Sequence, residues 1–149
     1  MVEVSFVVFG EPMAKQRPKM TTINGHAHAY TPKDTINYEN RVMVSYKGIT
    51  ERMFNRNDKL SVSVNAYFGL TKADYGKKGL NKSGREKIDG VYCDKHKDLD
   101  NIIKVVLDGL NGVAYVDDKQ VVEIRGTKKY TLEEPRVEVT ISVISSLMT

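Results

Sequence analysis

The chain has 149 residues, 40% of them hydrophobic and 28% charged. That length favours one domain, and the apolar content can bury a core without disulfides or metal staples, which excludes a disordered chain. A formal charge of +4 permits a nucleic-acid partner without demanding one, and no stretch approaches the roughly 20 apolar residues of a membrane helix.

Val2 to Phe9 is rich in Val and Phe and stops at Gly10-Glu11-Pro12, so it reads as a strand. With Glu3 before the apolar run and no basic segment, it is a poor signal peptide. Met13 to Thr31 has no period. It carries Lys15, Arg17 and Lys19 with no acid among them, then the turn signal Asn24-Gly25, and it reads as a loop with a short hairpin there. Thr31-Pro32 opens a helix, with Thr31 as cap and Asp34 in the first turn. Ile36, Val42, Met43, Tyr46, Ile49 and Met53 extend the helical spacing to about Phe54, weakened at Gly48.

Leu60 to Phe68 alternates as a half-buried strand. Gly69 to Lys97 holds many lysines, several glycines and few apolar residues, and is expected to be a long basic loop. Asp98 to Leu110 reads as a second helix, buried along Ile102, Ile103, Val106, Leu107 and Leu110 and stopped by Asn111-Gly112. Val121 to Tyr130 and Arg136 to Ile144 read as strands. The turn at Leu132 to Pro135 pairs them as an antiparallel hairpin. The order β-α-β-loop-α-β-β predicts an α/β (α+β) domain over residues 1–149, a small mixed sheet carrying two main helices. The single cysteine, Cys93, cannot form an internal disulfide and points to a reducing, cytoplasmic compartment.

The chemistry concentrates in Asp98-Leu99-Asp100-Asn101-Ile102-Ile103-Lys104, then Asp108, then Asp117-Asp118. Asp98 sits at the helix start. Asp100 and Lys104 are four apart and share a helix face, with Asn101 and Asp108 near it. A short return from the helix would bring Asp117-Asp118 beside its N-terminus. Clustered carboxylates repel one another unless a cation neutralises them, and hard oxygen donors suit Mg²⁺ or Mn²⁺. Such an ion serves phosphoryl chemistry, and the Lys104 ammonium is placed to add to charge stabilisation. Taken singly, each residue also fits a plainer role: Asp98 as a helix cap, Asp100 and Lys104 as an i,i+4 pair, Asp117-Asp118 as a turn. A calcium-binding EF-hand loop does not fit, because Ile102 and Ile103 stand where it needs a ligand and a glycine.

The run from Asp98 to Lys104, then Asp108-Gly109-Leu110-Asn111-Gly112, then Tyr115-Val116-Asp117-Asp118-Lys119-Gln120-Val121-Val122 resembles the RusA family of crossover-junction (Holliday junction) endodeoxyribonucleases of phages and prophages. Gly10-Glu11-Pro12, Lys15-Gln16-Arg17-Pro18 and Tyr30-Thr31-Pro32 add a weaker match. The resemblance implies a RusA-like fold and a homodimer that cuts opposed strands of a four-way DNA junction with Mg²⁺, Mn²⁺ substituting, and no nucleotide cofactor. By position, Asp98, Asp100 and Asp118 match the catalytic metal-binding carboxylates, with Asp117 beside the last, and Lys104 matches the functional lysine. Many members carry Pro where this chain has Lys97.

Asn101 is placed to brace the ligating carboxylates. Lys15, Arg17, Lys19 and Lys97 are the expected DNA contacts, with a solvated loop as the plainer reading of the first three. Tyr30, Tyr75 and Tyr92 could stack on unpaired bases, whereas Tyr115, beside apolar neighbours, belongs to the core. His26-x-His28 and Cys93-x-x-His96 have the wrong spacing for familiar zinc sites. Two rival functions remain: a junction-binding protein of the same fold that does not cut, and a metal-dependent nuclease acting on other nucleic acids.

Overall fold

The computed structural model describes residues 3–88 and 91–144. The elements run β1 (Glu3–Phe9), β2 (Lys19–Ile23), β3 (His26–Tyr30), α1 (Lys33–Lys47), β4 (Leu60–Gly69), β5 (Tyr75–Gly76), β6 (Gly79–Leu80), α2 (Lys82–Lys87), α3 (Leu99–Leu110), β7 (Val121–Thr131) and β8 (Arg136–Val143). This is the expected mixed α+β domain. Val2, expected to open the first strand, lies outside the described residues. Among the described residues no helix is long and apolar enough to cross a membrane.

The central sheet has the order β1-β8-β4-β7. β8 is antiparallel to both β1 and β4, while β4 and β7 are parallel. The expected β7–β8 hairpin is therefore wrong: β4 lies between the two strands. Leu132 to Pro135 is long enough to cross two strand spacings, roughly 10 Å, which a two-residue turn is not. The crossover passes over the end of β4 at Gly69, where a Cβ would stand 3.0 Å from Pro135 Cγ, and it is tied down by Gly10 N–H donating to Pro135 O at 2.9 Å.

Strand alternation sets the two faces. Val4, Phe6 and Val8 of β1, Leu60 through Phe68 in steps of two on β4, and Val137, Val139 and Ile141 of β8 are all buried. Both main helices cover this face. α3 contributes Ile102, Val105, Val106 and Leu110. α1 contributes Thr35, Tyr38, Val42 and Tyr46, with the Tyr46 ring edge-on to Phe6 at 5.5 Å. The opposite face is a polar ladder: Ser5 with Thr140, Ser61 with Glu123, Thr127 with Asn65.

α1 departs from expectation at both ends. Pro32, not Thr31, is the capping residue, and no side chain caps the helix. The helix stops at Lys47 because the chain turns at Gly48 and is drawn inward: Phe54 is buried, with its N–H donating to Ala114 O at 2.8 Å. The expected stripe holds at Val42 and Tyr46 but fails at its ends. Ile36, Ile49 and Met53 are exposed, while Thr35 and Tyr38 face the core.

Of the stretch expected as a long basic loop, the described residues 69–88 and 91–97 carry short elements of their own. The buried Asp74 carboxylate accepts from Thr71 N and Oγ1, Ser83 Oγ and Lys87 Nζ, which ties a 3₁₀ turn to α2. A Cβ on Gly84 would overlap the Asp74 carbonyl. Further on, Cys93 N–H donates to Lys128 O and Tyr130 N–H to Val91 O, which covers the outer edge of β7. The expected hairpin at Asn24-Gly25 is β2–β3, whose turn residues take the positive φ values of 52° and 79°.

Candidate active site

α1 and α3 cross closely because Gly109 has no side chain: a Cβ there would lie 2.8 Å from Glu39 O and 2.9 Å from Val42 Cβ. The crossing sets Glu39 of α1 opposite Asp108 of α3. Into the gap reaches Lys15, carried by the segment between β1 and β2. Its Nζ lies 2.5 Å from Asp108 Oδ2 and 3.2 Å from Glu39 Oε2. The Asp108 carboxylate, followed by Glu39, holds the Lys15 pKa above the usual lysine value against the opposing effect of burial. The backbone seats the same segment a second time, with Lys15 N–H donating to Asn101 O at 2.8 Å.

The result is a groove of about 540 Å³ lined by Lys15, Gln16, Arg17 and Pro18 on one wall and by Asp98, Asp100, Asn101, Lys104 and Asp108 on the other. Asp98 precedes α3, but its carboxylate caps no backbone N–H, so its oxygens are unengaged by the helix. Among the described residues Asp100 Oδ1 accepts only from the neighbouring Asn101 N–H, at 3.0 Å. Among the described residues Asp100 and Lys104 form no ion pair, so the simple i,i+4 pairing does not occur. Asn101 enters through its carbonyl, which anchors the Lys15 segment.

Asp117 and Asp118 sit elsewhere. They occupy the 3₁₀ turn before β7, and Asp117 lines a separate depression with Arg56, Lys59 and Lys119. Lys119 N–H donates to Asp117 Oδ1 at 2.9 Å and lowers the Asp117 pKa. The adjacent Asp117, then burial, then the field of Asp108 push the Asp118 carboxyl up. Asp118 thus feels the acid at the far end of the groove without lining it. Among the described residues no three His, Cys, Asp or Glu side chains stand together as a ready-made metal cage. The His26/His28 and Cys93/His96 pairs likewise form none: His96 stacks on Phe68 at 5.0 Å, and Cys93 Sγ donates to Lys95 O.

Of the expected DNA contacts, Lys15 and Arg17 line the groove, whereas Lys19 on β2 and Lys97 in the loop before α3 do not. Tyr30 and Tyr92 are exposed, and Tyr115 is fully buried with its hydroxyl donating to Leu107 O. Sequence reading missed Glu39. Nothing local marks it, because its partner comes from a helix crossing that sequence periodicity does not reveal.

Residues 10–142, which span both groove walls and Asp118, match the Endodeoxyribonuclease RusA family. The chain belongs to the RusA family. It is also 34% identical over 145 residues to "Uncharacterized protein YqaN" of Bacillus subtilis (strain 168), a match covering 96% of this chain and 98% of that protein. RusA-family membership makes DNA the partner and a phosphodiester bond the target.

The donor set fits a hard divalent cation. Mg²⁺ keeps several waters and needs only one or two protein carboxylates when substrate phosphates supply the rest. Asp98 and Asp100, free of cap and ion-pair duties and on one groove wall, meet that requirement.

Proposed function

We propose that this protein is a Mg²⁺-dependent, structure-selective endonuclease that resolves four-way DNA junctions by paired phosphodiester hydrolysis, with Mn²⁺ able to substitute. The observation that carries the reading is a groove in which Asp98 and Asp100, neither of them in an ion pair among the described residues, stand with Lys104 on one wall and face a wall bearing Arg17. Carboxylates alone would repel DNA; next to cations they make a site for a phosphate and a metal ion together.

Asp98 and Asp100 would hold the ion, and Asp118 is the third ligand that the family resemblance supplies. When bound, the ion supplies an activated water and offsets charge on the scissile phosphate. The exposed Lys104 ammonium donates to a non-bridging phosphate oxygen as negative charge builds there. Arg17, across the groove, holds a flanking phosphate and fixes the strand's direction through the site. Asn101 keeps the opposite wall in place through its carbonyl. One groove cuts one strand. Two symmetric cuts require two grooves related by a two-fold axis, hence a homodimer. A DNA substrate and an unpaired, buried Cys93 accord with work in the cytoplasm of a bacterial or phage-infected cell.

The test is nicking of a synthetic four-way junction beside a linear duplex of the same sequence, in Mg²⁺ and in EDTA. The expected result is paired nicks on the junction in Mg²⁺ alone, lost in Asp100→Asn. Junction binding without cleavage in Mg²⁺, Mn²⁺ and Ca²⁺ would support a non-cutting binder instead. Equal cutting of duplex or RNA would remove the structural selectivity.

A further inference from the structure

Lys15 is the first of the three basic residues that the front of the chain offers to DNA, yet its charge is already engaged within the protein. Two carboxylates from two different helices enclose the ammonium, at 2.5 Å and 3.2 Å, and its side chain is only 29% exposed. The next basic residue, Arg17, lines the same groove, is exposed and makes no ion pair among the described residues.

We propose that Lys15 is a positioning residue, not a phosphate contact: its ammonium clamps the Lys15–Pro18 segment to α1 and α3, and so sets Arg17 opposite Asp98, Asp100 and Lys104. The proposal rests on the nuclease reading for its kinetic arm only. Three features carry it. The segment has four anchors: the Lys15 ammonium to Asp108 and to Glu39, the Lys15 N–H bond to Asn101 O, and the Gln16 N–H bond to Thr35 Oγ1 at 3.2 Å. Those anchors lie on both helices that carry the core, so the segment inherits their rigidity. The carboxylates also need Lys15, because without it Asp108 and Glu39 face each other across the Gly109 crossing with no cation between them.

A phosphate contact and a clamp leave different traces. Each phosphate contact adds about one to the slope of log affinity against log salt. A clamp adds nothing to that slope, but its loss misplaces groups that must meet in the transition state, where an error of ~1 Å can cost about 100-fold in rate.

The experiment compares Lys15→Met, Lys15→Arg, Arg17→Ala and Asp108→Asn with the unmodified chain. Junction affinity is measured in Ca²⁺ across a salt series, single-turnover cleavage in Mg²⁺ at saturating enzyme, and backbone amide exchange on the DNA-free protein, with thermal melts to verify folding. Arg17→Ala should lower the salt slope by about one. Lys15→Met should leave the slope unchanged, cut the saturating rate about 10- to 100-fold and speed amide exchange in residues 13–17. Lys15→Arg, which can bridge both carboxylates, should restore most of the rate. Asp108→Asn combined with Lys15→Met should be no worse than either alone, because both break one clamp. A slope reduced by one in Lys15→Met, with exchange and saturating rate unchanged, would overturn the proposal. If the unmodified protein cuts no junction, the nuclease reading fails, and the exchange and salt-slope arms still judge the clamp.

Discussion

Replacing Gly109 by alanine probes the contact on which the groove depends. The added Cβ would meet Glu39 O at 2.8 Å and Val42 Cβ at 2.9 Å, against an ordinary contact distance of 3.4 Å or more. Neither neighbour can yield by rotating: one is helix backbone and the other belongs to a fully buried valine. The helices must separate, and overpacking of this kind costs about 1–3 kcal/mol, towards the upper end for a backbone clash. Alanine recovers up to about 1 kcal/mol of helix propensity. The net loss is about 2 kcal/mol, which for a chain of this size lowers Tm by about 4–8 °C. Urea unfolding followed by circular dichroism measures it directly. Cleavage should fall further than stability accounts for, because separating α1 from α3 pulls Glu39 and Asp108 off Lys15. A Gly109→Ala protein as stable as the parent, or more so, would refute the close crossing and with it the route by which Glu39 reaches the groove.

Two further predictions concern the rest of the fold. Ile102→Ala, in the core beneath the site, should cost about 2–5 kcal/mol, whereas Ile36→Ala, which sequence periodicity placed on the buried stripe, should stay within about 0.5 kcal/mol; chemical denaturation of both separates the observed helix face from the expected one. The Lys87 ammonium, then the Thr71 N–H and Ser83, hold Asp74 well below the usual carboxylate range. A depressed carboxylate contributes stability above its unfolded pKa of about 3.9 and loses it as pH falls through the folded value, so the 71–88 segment should stay closed from neutral pH to about pH 4 and open only in stronger acid. Lys77, Lys78 and Lys82 are already exposed, and Asp74→Asn, by loosening the segment that carries them, should speed tryptic cleavage there at neutral pH; unchanged cleavage kinetics would show that something else closes the segment.

The elements whose signal is local were legible in the sequence. β4 and β8 alternate without a break, and α3 carries its apolar stripe and its Asn111-Gly112 stop in plain view. What failed was whatever depends on a distant partner. β7 and β8 are consecutive and joined by a short turn, which made a hairpin the natural inference; the strand between them arrives from sixty residues earlier. The α1 stripe misled because Thr35 and Tyr38 bury polar-tipped side chains, while Ile36 faces water. The 69–97 segment looked like a loop because the one group that organises it is a charged residue, Asp74, whose burial depends on Lys87 and Ser83. At the site, the α3 residues could be read from spacing, but Glu39 and the clamp on Lys15 exist only through the helix crossing.

Asp118 is where the spacing argument and the geometry meet least well, and metal binding can decide its part. Asp98 and Asp100 line the groove, but Asp118 stands before β7, its carboxyl raised by Asp117 and reached by the field of Asp108. If Asp98 and Asp100 are the whole protein share of the metal site, the DNA-free protein should bind Mn²⁺ weakly, since phosphate oxygens are part of the ligand set. Asp98→Asn or Asp100→Asn should then abolish that binding, and Asp118→Asn should change it little. If Asp118 swings in as a ligand, all three substitutions should weaken Mn²⁺ binding alike, and each should abolish cleavage. Paramagnetic resonance of added Mn²⁺ measures the free ion directly in the absence of DNA. The carboxylate repulsion at Asp117 and Asp118 favours the second outcome, because a cation shared with the groove would relieve it. An Asp118→Asn protein that binds Mn²⁺ and cuts junctions at the parent rate would remove Asp118 from the metal site and leave Asp98 and Asp100 to hold the ion, with Asp108 engaged by Lys15.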